Sequence, residues 1–166
     1  MRAIPARFGV LIRQRLPRAG SDPSPKDATL NQADARALVE QAPIARLASV
    51  TDLGAVDLVP ITYAMSDEML VTAIDHKPKT TKELKRLDNI RAHPEVALLI
   101  DHYDDDWNEL WWIRLRGRAR ILQNGQRFDN AVAALVAKYA PYQDRPPKGP
   151  VIEVDLTGWQ WWTAKD

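Results

Sequence analysis

Lys77, Lys79 and Thr80 stand together at the start of a segment that should be helical, and residues of these types at this spacing can bind a phosphate. Thr80 and Glu83 have the spacing of a capping box, which predicts a helix that begins at Thr80 and ends before Pro94. Two ammonium groups, a hydroxyl and the free N–H groups of the first helical turn would then converge. Cations are disfavoured at a helix N-terminus, so a bound anion would offset this cost. The alternative is a solvated, charged loop.

No other motif indicates acid–base, nucleophilic or metal chemistry. The chain has no cysteine, and its histidines, His76, His93 and His102, fall in different predicted elements without metal-ligand spacing or a nearby serine motif. Asp104, Asp105 and Asp106 are consecutive, and consecutive loop residues cannot converge on one ion without the alternate spacing of calcium loops. We interpret them as a solvated loop. If the protein is an enzyme, a cofactor carries the reaction.

Charge divides the chain into two parts. Residues 1–27 hold six basic and two acidic residues and four prolines, which predicts a basic, flexible extension; the remaining residues carry a formal charge of −3. An acidic body argues against a nucleic-acid partner, because a phosphate-tracking surface needs a basic excess. Contact of the extension with a membrane or a partner protein stays open as an alternative.

Length and composition predict that the rest of the chain, residues 28–166, forms a single domain. The whole chain has 166 residues, of which 45% are hydrophobic and 27% charged, the profile of a soluble globular domain. A domain of this size needs no disulfide or metal to fold, and the absence of cysteine is compatible with a cytoplasmic protein.

The elements that position the lysine loop can be read from periodicity and turn residues. Asn31 predicts the start of a helix and Pro43 its end. Strands are predicted over residues 44–51, 55–64 and 69–74, in an antiparallel meander with an Asp52–Leu53–Gly54 turn. After the second helix, strands are predicted over residues 96–103, 110–122 and 151–157, with a helix over residues 128–139 and a proline-rich loop before the last strand.

The strand over residues 110–122 alternates cleanly between Trp111 and Ile121. One face carries apolar or small residues, and the other carries Trp112, Arg114, Arg116, Arg118 and Arg120. Neighbouring arginines repel one another unless they are neutralised. Acidic residues on adjacent strands, a partner subunit or an anionic ligand could do this. The C-terminal tryptophans at positions 159, 161 and 162 predict core or dimer contact rather than ligand stacking.

Together these residues resemble a known family. The resemblance rests on the order of Val59-Pro60-Ile61-Thr62, Val71-Thr72-Ala73, the Lys77/Lys79/Thr80 loop, Asn89-Ile90, Pro94-Glu95-Val96-Ala97-Leu98 and Arg116-Gly117-Arg118-Ala119. The chain is similar, over about residues 28–162, to the split-barrel flavoproteins of the pyridoxamine 5′-phosphate oxidase superfamily. Within that superfamily it looks closest to the actinobacterial enzymes that use the deazaflavin coenzyme F420.

The resemblance implies a mainly β fold with flanking helices, a six-stranded Greek-key split β-barrel that forms a homodimer with two cofactor sites at the interface. The residues it assigns to the cofactor are Val59, Pro60, Ile61, Thr62, Thr72, Ala73, Lys77, Lys79, Thr80 and, from the facing subunit, Trp112. An indole at position 112 replaces a polar residue of the oxidase, and the oxidase's C-terminal substrate arginine motif is not recognisable, which argues against pyridoxamine phosphate oxidation.

The function that follows from the resemblance is an F420-dependent reductase, which transfers hydride to an electron-poor double bond. The proton would come from solvent or from Tyr63. Three alternatives remain: an FMN-dependent oxidoreductase of the same fold; a non-catalytic protein that binds a flavin, a deazaflavin or, through His76, haem; and a membrane- or nucleic-acid-associated adaptor that uses the basic extension.

Overall fold

The computed structural model describes residues 30–74 and 81–164 as five helices and seven strands. The helices are α1 (Gln32–Gln41), α2 (Thr81–Ala92), a single 3₁₀ turn (Trp107–Glu109), α3 (Gln126–Lys138) and α4 (Ala140–Asp144). The strands are β1 (Ala45–Val50), β2 (Val56–Ile61), β3 (Ala64–Ser66), β4 (Met69–Ala73), β5 (Glu95–His102), β6 (Trp111–Leu122) and β7 (Val151–Thr163). None of the helices in these residues is long and apolar enough to cross a membrane.

The strands form one antiparallel sheet in the order β2-β1-β5-β6-β7-β4-β3. Only Thr62 and Tyr63 separate β2 from β3, although these strands lie at opposite ends of this order. Six strand spacings would put the two ends about 29 Å apart in a flat sheet. The link spans at most about 10 Å. The sheet must therefore curl until its two end strands approach each other, although they do not pair, which produces a split β-barrel.

This link corrects one predicted element and confirms the fold class. The strand expected over residues 55–64 breaks at Thr62 and Tyr63, and its two halves pair with different neighbours, β1 and β4. The barrel consequently has seven strands where six were expected. The prediction of a mainly β split barrel with flanking helices is confirmed.

Other boundaries follow the sequence signals closely, with two further corrections. The start of the predicted proline-rich loop is helical, as α4, and the last strand is longer than predicted. The Asn31 side chain caps α1 by accepting from the Asp34 N–H at 3.0 Å, and the helix ends before Pro43. The last strand was predicted to end at residue 157, but β7 continues to Thr163 and pairs along the whole length of β6. The tryptophans at 159, 161 and 162 thus belong to the barrel wall.

Two apolar layers hold the barrel together. Its interior is filled by side chains that alternate with outward-facing residues on β1, β5, β6 and β7, among them Leu47, Leu98, Ile113, Leu115 and Ile152. The helix α3 covers the outside of β3, β4 and β7, where a second cluster includes Val71, Ala131, Leu135 and Val151. Burial on both faces explains why β4 is almost continuously apolar.

The outward-facing arginines of β6 meet acidic side chains on the neighbouring strands. Arg118 pairs with Glu95 at 2.6 Å. Arg120 lies 3.2 Å from Glu153, which is only 5% exposed and also receives Arg127 of α3 at 2.5 Å. A carboxylate so buried needs such partners. For Arg118 and Arg120, neutralisation by adjacent strands is the alternative that the structure supports.

The link between β2 and β3 is held by tyrosine side chains. The Tyr139 hydroxyl accepts from the Tyr63 N–H at 3.0 Å and lies 2.7 Å from the Tyr63 carbonyl, to which it donates. The Tyr63 hydroxyl donates to the Val39 carbonyl of α1 at 2.5 Å. The Thr62 and Tyr142 hydroxyls are 3.0 Å apart. These bonds connect the link to α1, α3 and α4.

We predict that Tyr139→Phe lowers the free energy of unfolding by about 1–3 kcal/mol, because it leaves the partly buried Tyr63 N–H and carbonyl without this partner. Urea denaturation measures the change. The matched control is Tyr103→Phe, since Tyr103 is 79% exposed, and its effect should stay within about 0.5 kcal/mol. Equal effects of the two substitutions would contradict the role given to Tyr139.

Candidate functional site

An apolar groove of about 440 Å³ runs over the outer face of β2, β1, β5 and β6. Its lining includes four aliphatic side chains and two aromatic ones: Ala48, Leu58, Ala97, Leu99, Tyr103 and Trp112. The register places Leu58, Ala48 and Ala97 side by side on adjacent strands. The two alanines leave an open, flat floor because they carry no more than a methyl group.

Charged side chains border this apolar floor. Arg46 forms an ion pair with Asp101, and Arg114 donates to the Gln160 side chain on β7. The groove is lined by two arginines and one aspartate, Arg46, Arg114 and Asp101, so the formal charge of its lining is positive. Arginine combines a planar, weakly hydrated surface with fixed N–H donors, and this suits both flat and anionic ligands.

Large apolar side chains around the groove remain exposed. Val56 is 70% exposed, Leu58 60%, Leu99 37% and Trp162 36%. The pairing of Trp112 with Trp162, and of Leu58 with Ala48, shows that these residues share one face of the sheet. A contiguous apolar face of this kind marks an interaction or ligand site.

The predicted cofactor residues of β2 have different orientations. Val59 and Ile61 point towards the barrel core, whereas Pro60 lies on the exposed face beside Arg46. The backbone contacts that the resemblance implies do not depend on these directions. Within the described residues β2 pairs only with β1, so its second edge offers polar backbone groups to a ligand.

Thr62 belongs to the strand link, where its hydroxyl contacts that of Tyr142. Thr72 and Ala73 are buried on β4, at 1% and 7% exposure. Their side chains therefore have little surface to offer, and contact with a ligand would depend on backbone atoms or on movement. The remaining predicted cofactor residues of this region, Lys77, Lys79 and Thr80, lie outside the described residues, as does His76.

Trp112 lines the groove, but a single chain does not bring it to Ala73. Ala73 is opposite Val151, and Val151 is opposite Leu122 at the far end of β6. Ten residues of strand separate Leu122 from Trp112, a distance of about 33 Å along β6. The predicted site thus falls into two parts at opposite ends of the barrel.

Comparison with known sequences identifies the family. A family model described as pyridoxamine 5′-phosphate oxidase matches residues 32–163. This chain belongs to the pyridoxamine 5′-phosphate oxidase family. The match begins at the first residue of α1 and ends at the last residue of β7, so it covers the whole barrel. A comparison of this chain with curated proteins found no significant match.

Solved structures share the fold of this oxidase-family chain at low sequence identity. A conserved hypothetical protein of Mycobacterium tuberculosis is 17% identical with a TM-score of 0.71, covering 86% of this chain and 91% of its own. A haem-binding protein of Mycobacterium smegmatis is 17% identical with a TM-score of 0.63, over 77% of this chain and 52% of its own. An FAD-binding protein of the same species is 15% identical with a TM-score of 0.57, over 80% and 96%.

The position of Tyr63 does not support the predicted proton donation. Its side chain is fully buried, and burial raises the pKa of its hydroxyl, with a further contribution from Tyr139. The hydroxyl is already bonded to the Val39 carbonyl. Tyr63 is thus a core residue of this family member, since a proton donor must reach its acceptor directly or through one water.

The histidines and the acidic loop form no metal site in the described part of the chain. In residues 30–74 and 81–164 no three histidine, aspartate or glutamate side chains are placed to hold an ion. His102 stacks on Trp111 with ring centroids 6.1 Å apart, and His93 is exposed just after α2. Asp104 and Asp106 accept backbone N–H bonds within their own loop.

Lys138 is a notable side chain that the sequence reasoning missed. Its ammonium lies 4.0 Å from the centroid of the Tyr63 ring and donates to the Ala42 carbonyl at the end of α1, at 2.8 Å. Burial lowers the pKa of Lys138 to about 8, and nearby Glu40 only partly opposes this. Its position on the last turn of α3 is typical of a capping lysine, so no sequence signal distinguishes it.

This lowered pKa predicts a pH-dependent stability. The penalty for burying the ammonium is full below about pH 8, where Lys138 is charged in both states, and it is relieved as the pH rises towards the ordinary value of 10.5. The difference in the free energy of unfolding between the wild type and Lys138→Met should therefore shift in favour of the wild type between about pH 7.5 and about pH 9.5.

Urea denaturation across that range measures the shift, with Lys85→Met on the exposed face of α2 as the control. The control should differ from the wild type by a constant amount. A constant difference for Lys138→Met as well would show that its amine is not desolvated.

Proposed function

We propose that this chain binds coenzyme F420 between two copies of itself and acts as an oxidoreductase that transfers hydride between the deazaflavin and an unsaturated small molecule. The observation that carries the proposal is the apolar groove with a positive border on the outer barrel face. Membership of the pyridoxamine 5′-phosphate oxidase family supports it at the level of the fold.

The need for two copies follows from the separation of the two parts of the site. Trp112 and the end of β4 are held at opposite ends of one barrel, so a ligand that touches both must lie between two chains. Two-fold symmetric pairing of the outer faces would also cover Val56, Leu58 and Leu99, whose exposure is unfavourable in a monomer. A homodimer therefore accounts for both features.

The groove fits a planar, anionic cofactor. Ala48 and Ala97 give a flat floor, Trp112 gives an aromatic wall, and Arg46 and Arg114 supply positive charge. Lys77, Lys79 and Thr80 are the residues proposed for its phosphate. When bound, a deazaflavin supplies hydride transfer to an electron-poor C=C or C=N bond. The chain itself would orient the ring and exclude water, and solvent would provide the proton.

Two other ligands are favoured by specific observations. The family takes its description from pyridoxamine 5′-phosphate oxidase, an enzyme that uses a flavin, and one similar structure is an FAD-binding protein. These two observations favour FMN or a related flavin in the same groove. Another similar structure is a haem-binding protein, and His102 is an exposed imidazole that stacks on Trp111 at the end of β5. Haem binding without catalysis is thus the candidate from a different functional class.

Separate titrations of the full chain with F420, FMN and haemin test the choice, read by fluorescence quenching or absorbance. The proposal expects F420 to bind more tightly than FMN, with weak haemin binding. Tighter binding of FMN would replace the deazaflavin with a flavin, and tighter binding of haemin would replace the enzyme with a haem protein.

We further predict that the double substitution Lys77→Ala, Lys79→Ala weakens F420 binding at least about tenfold, because each charge-assisted phosphate contact is worth about 1.5–3 kcal/mol. Lys85→Ala, on the exposed face of α2, is the matched control and should change the affinity by less than about twofold. Unchanged affinity in the double variant would show that the phosphate assignment is wrong.

The Trp112→Ala substitution should weaken F420 binding, whereas Trp112→Phe, which keeps an aromatic ring, should retain most of the wild-type affinity.

A further inference from the structure

The loop between β5 and β6 presents two exposed aromatic side chains among carboxylates. Tyr103 is 79% exposed and Trp107 is 78% exposed. We call residues 103–109 the aromatic–acidic loop, since it also contains four acidic residues and no lysine or arginine: Asp104, Asp105, Asp106 and Glu109. An exposed tryptophan of this kind is a typical anchor for a partner segment.

Hydrogen bonds hold this loop in one shape. Asp104 accepts from the Asp106 N–H at 3.0 Å, and Asp106 accepts from the Asn108 N–H at 3.0 Å and from its side-chain amide at 2.9 Å. The Glu109 N–H donates to the Asp106 carbonyl at 3.0 Å. A preorganised loop keeps Trp107 exposed without an ordering cost on binding. Asp105 contributes to none of these bonds and can be changed without breaking them.

The described residues begin near this loop. The carbonyl of Leu30, the first described residue, accepts from the Trp161 indole at 2.8 Å. Trp161 is opposite Ile113 on β6. Ile113 is three residues after Leu110, the first residue beyond the aromatic–acidic loop. Three residues of strand span about 10 Å. Leu30 therefore lies at the same end of the sheet as the aromatic–acidic loop.

The extension has the chemistry that this loop would bind. Residues 1–27 carry six basic and two acidic side chains, and Arg13, Arg15 and Arg18 directly follow an apolar stretch at residues 8–12. Arginine pairs with carboxylates and stacks on aromatic rings. Charge, aromatic surface and proximity all match the same segment.

We propose that residues 1–27 bind the aromatic–acidic loop of their own chain. Arginine side chains pair with Asp105 and its acidic neighbours, and the apolar stretch covers Trp107. Because Tyr103 belongs both to this loop and to the lining of the groove, the bound extension borders the groove entrance. This interaction goes beyond the proposed function and does not depend on which cofactor binds.

Limited trypsin digestion of the full chain tests this interaction, with cleavage after Arg13, Arg15 and Arg18 followed by mass spectrometry. The variant Asp105→Lys, Trp107→Ala should be cleaved at these sites at least about fivefold faster than the wild type, since the bound state is lost. The matched control is Asp52→Lys, Leu53→Ala, which changes an acidic and an exposed apolar residue on the β1–β2 turn, at the other end of the sheet. Its cleavage rate should equal that of the wild type.

In a second measurement, the extension is changed and the response of the aromatic–acidic loop is measured. In the full chain, Arg13→Glu combined with Arg15→Glu should speed amide hydrogen exchange of residues 103–109, and thermal unfolding should confirm that the variant is folded.

Equal cleavage of the wild type and the loop variant would overturn the proposal. Protection that depends on protein concentration would show binding to another copy, and protection only with anionic vesicles would show a membrane ligand; either result also overturns it.

Discussion

The two-residue link between β2 and β3 is the constraint on which the rest of the structure depends. Thr62 and Tyr63 join strands at opposite ends of the sheet order, so the sheet has to curl. Hydrogen bonds from Tyr139 and from the Tyr63 hydroxyl hold this link against α1 and α3. Curling separates an enclosed apolar interior from an outward face, and the groove lies on that outward face.

The same geometry constrains the cofactor site that we propose for this family member. Thr72 and Ala73 are both buried on β4, and the register places Ala73 across β7 from Leu122, which is about 33 Å along β6 from Trp112. One chain therefore supplies a groove and, separately, the strand that leads to the lysine loop. The proposed site, shared between two chains, would account for the apolar groove, its positive border and the exposed aliphatic residues around it.

Local signals predicted most of the barrel, and long-range pairing accounts for what they missed. Asn31 and Pro43 bounded α1 correctly, and the alternation of β6 placed Trp112 and the arginines on the outward face. The break at Thr62 could not be predicted, because the apolar pattern runs through it and only the pairing of β2 with β1 and β3 with β4 reveals it. For the same reason the sequence alone leaves Tyr63 open as an alternative to solvent as the proton donor: its burial comes from α1 and from Tyr139 at the end of α3, which are distant in sequence.

The most direct test of the central claim is complementation between two defective chains. Trp112→Ala chains and Lys77→Ala, Lys79→Ala chains are each purified, mixed in equal amounts, allowed to exchange subunits and titrated with F420. A site shared across a two-fold symmetric dimer predicts that about a quarter of all sites regain tight binding, because each mixed dimer rebuilds one intact site. If mixing restores no tight binding although mixed dimers form, the groove and the lysine loop do not belong to one shared site.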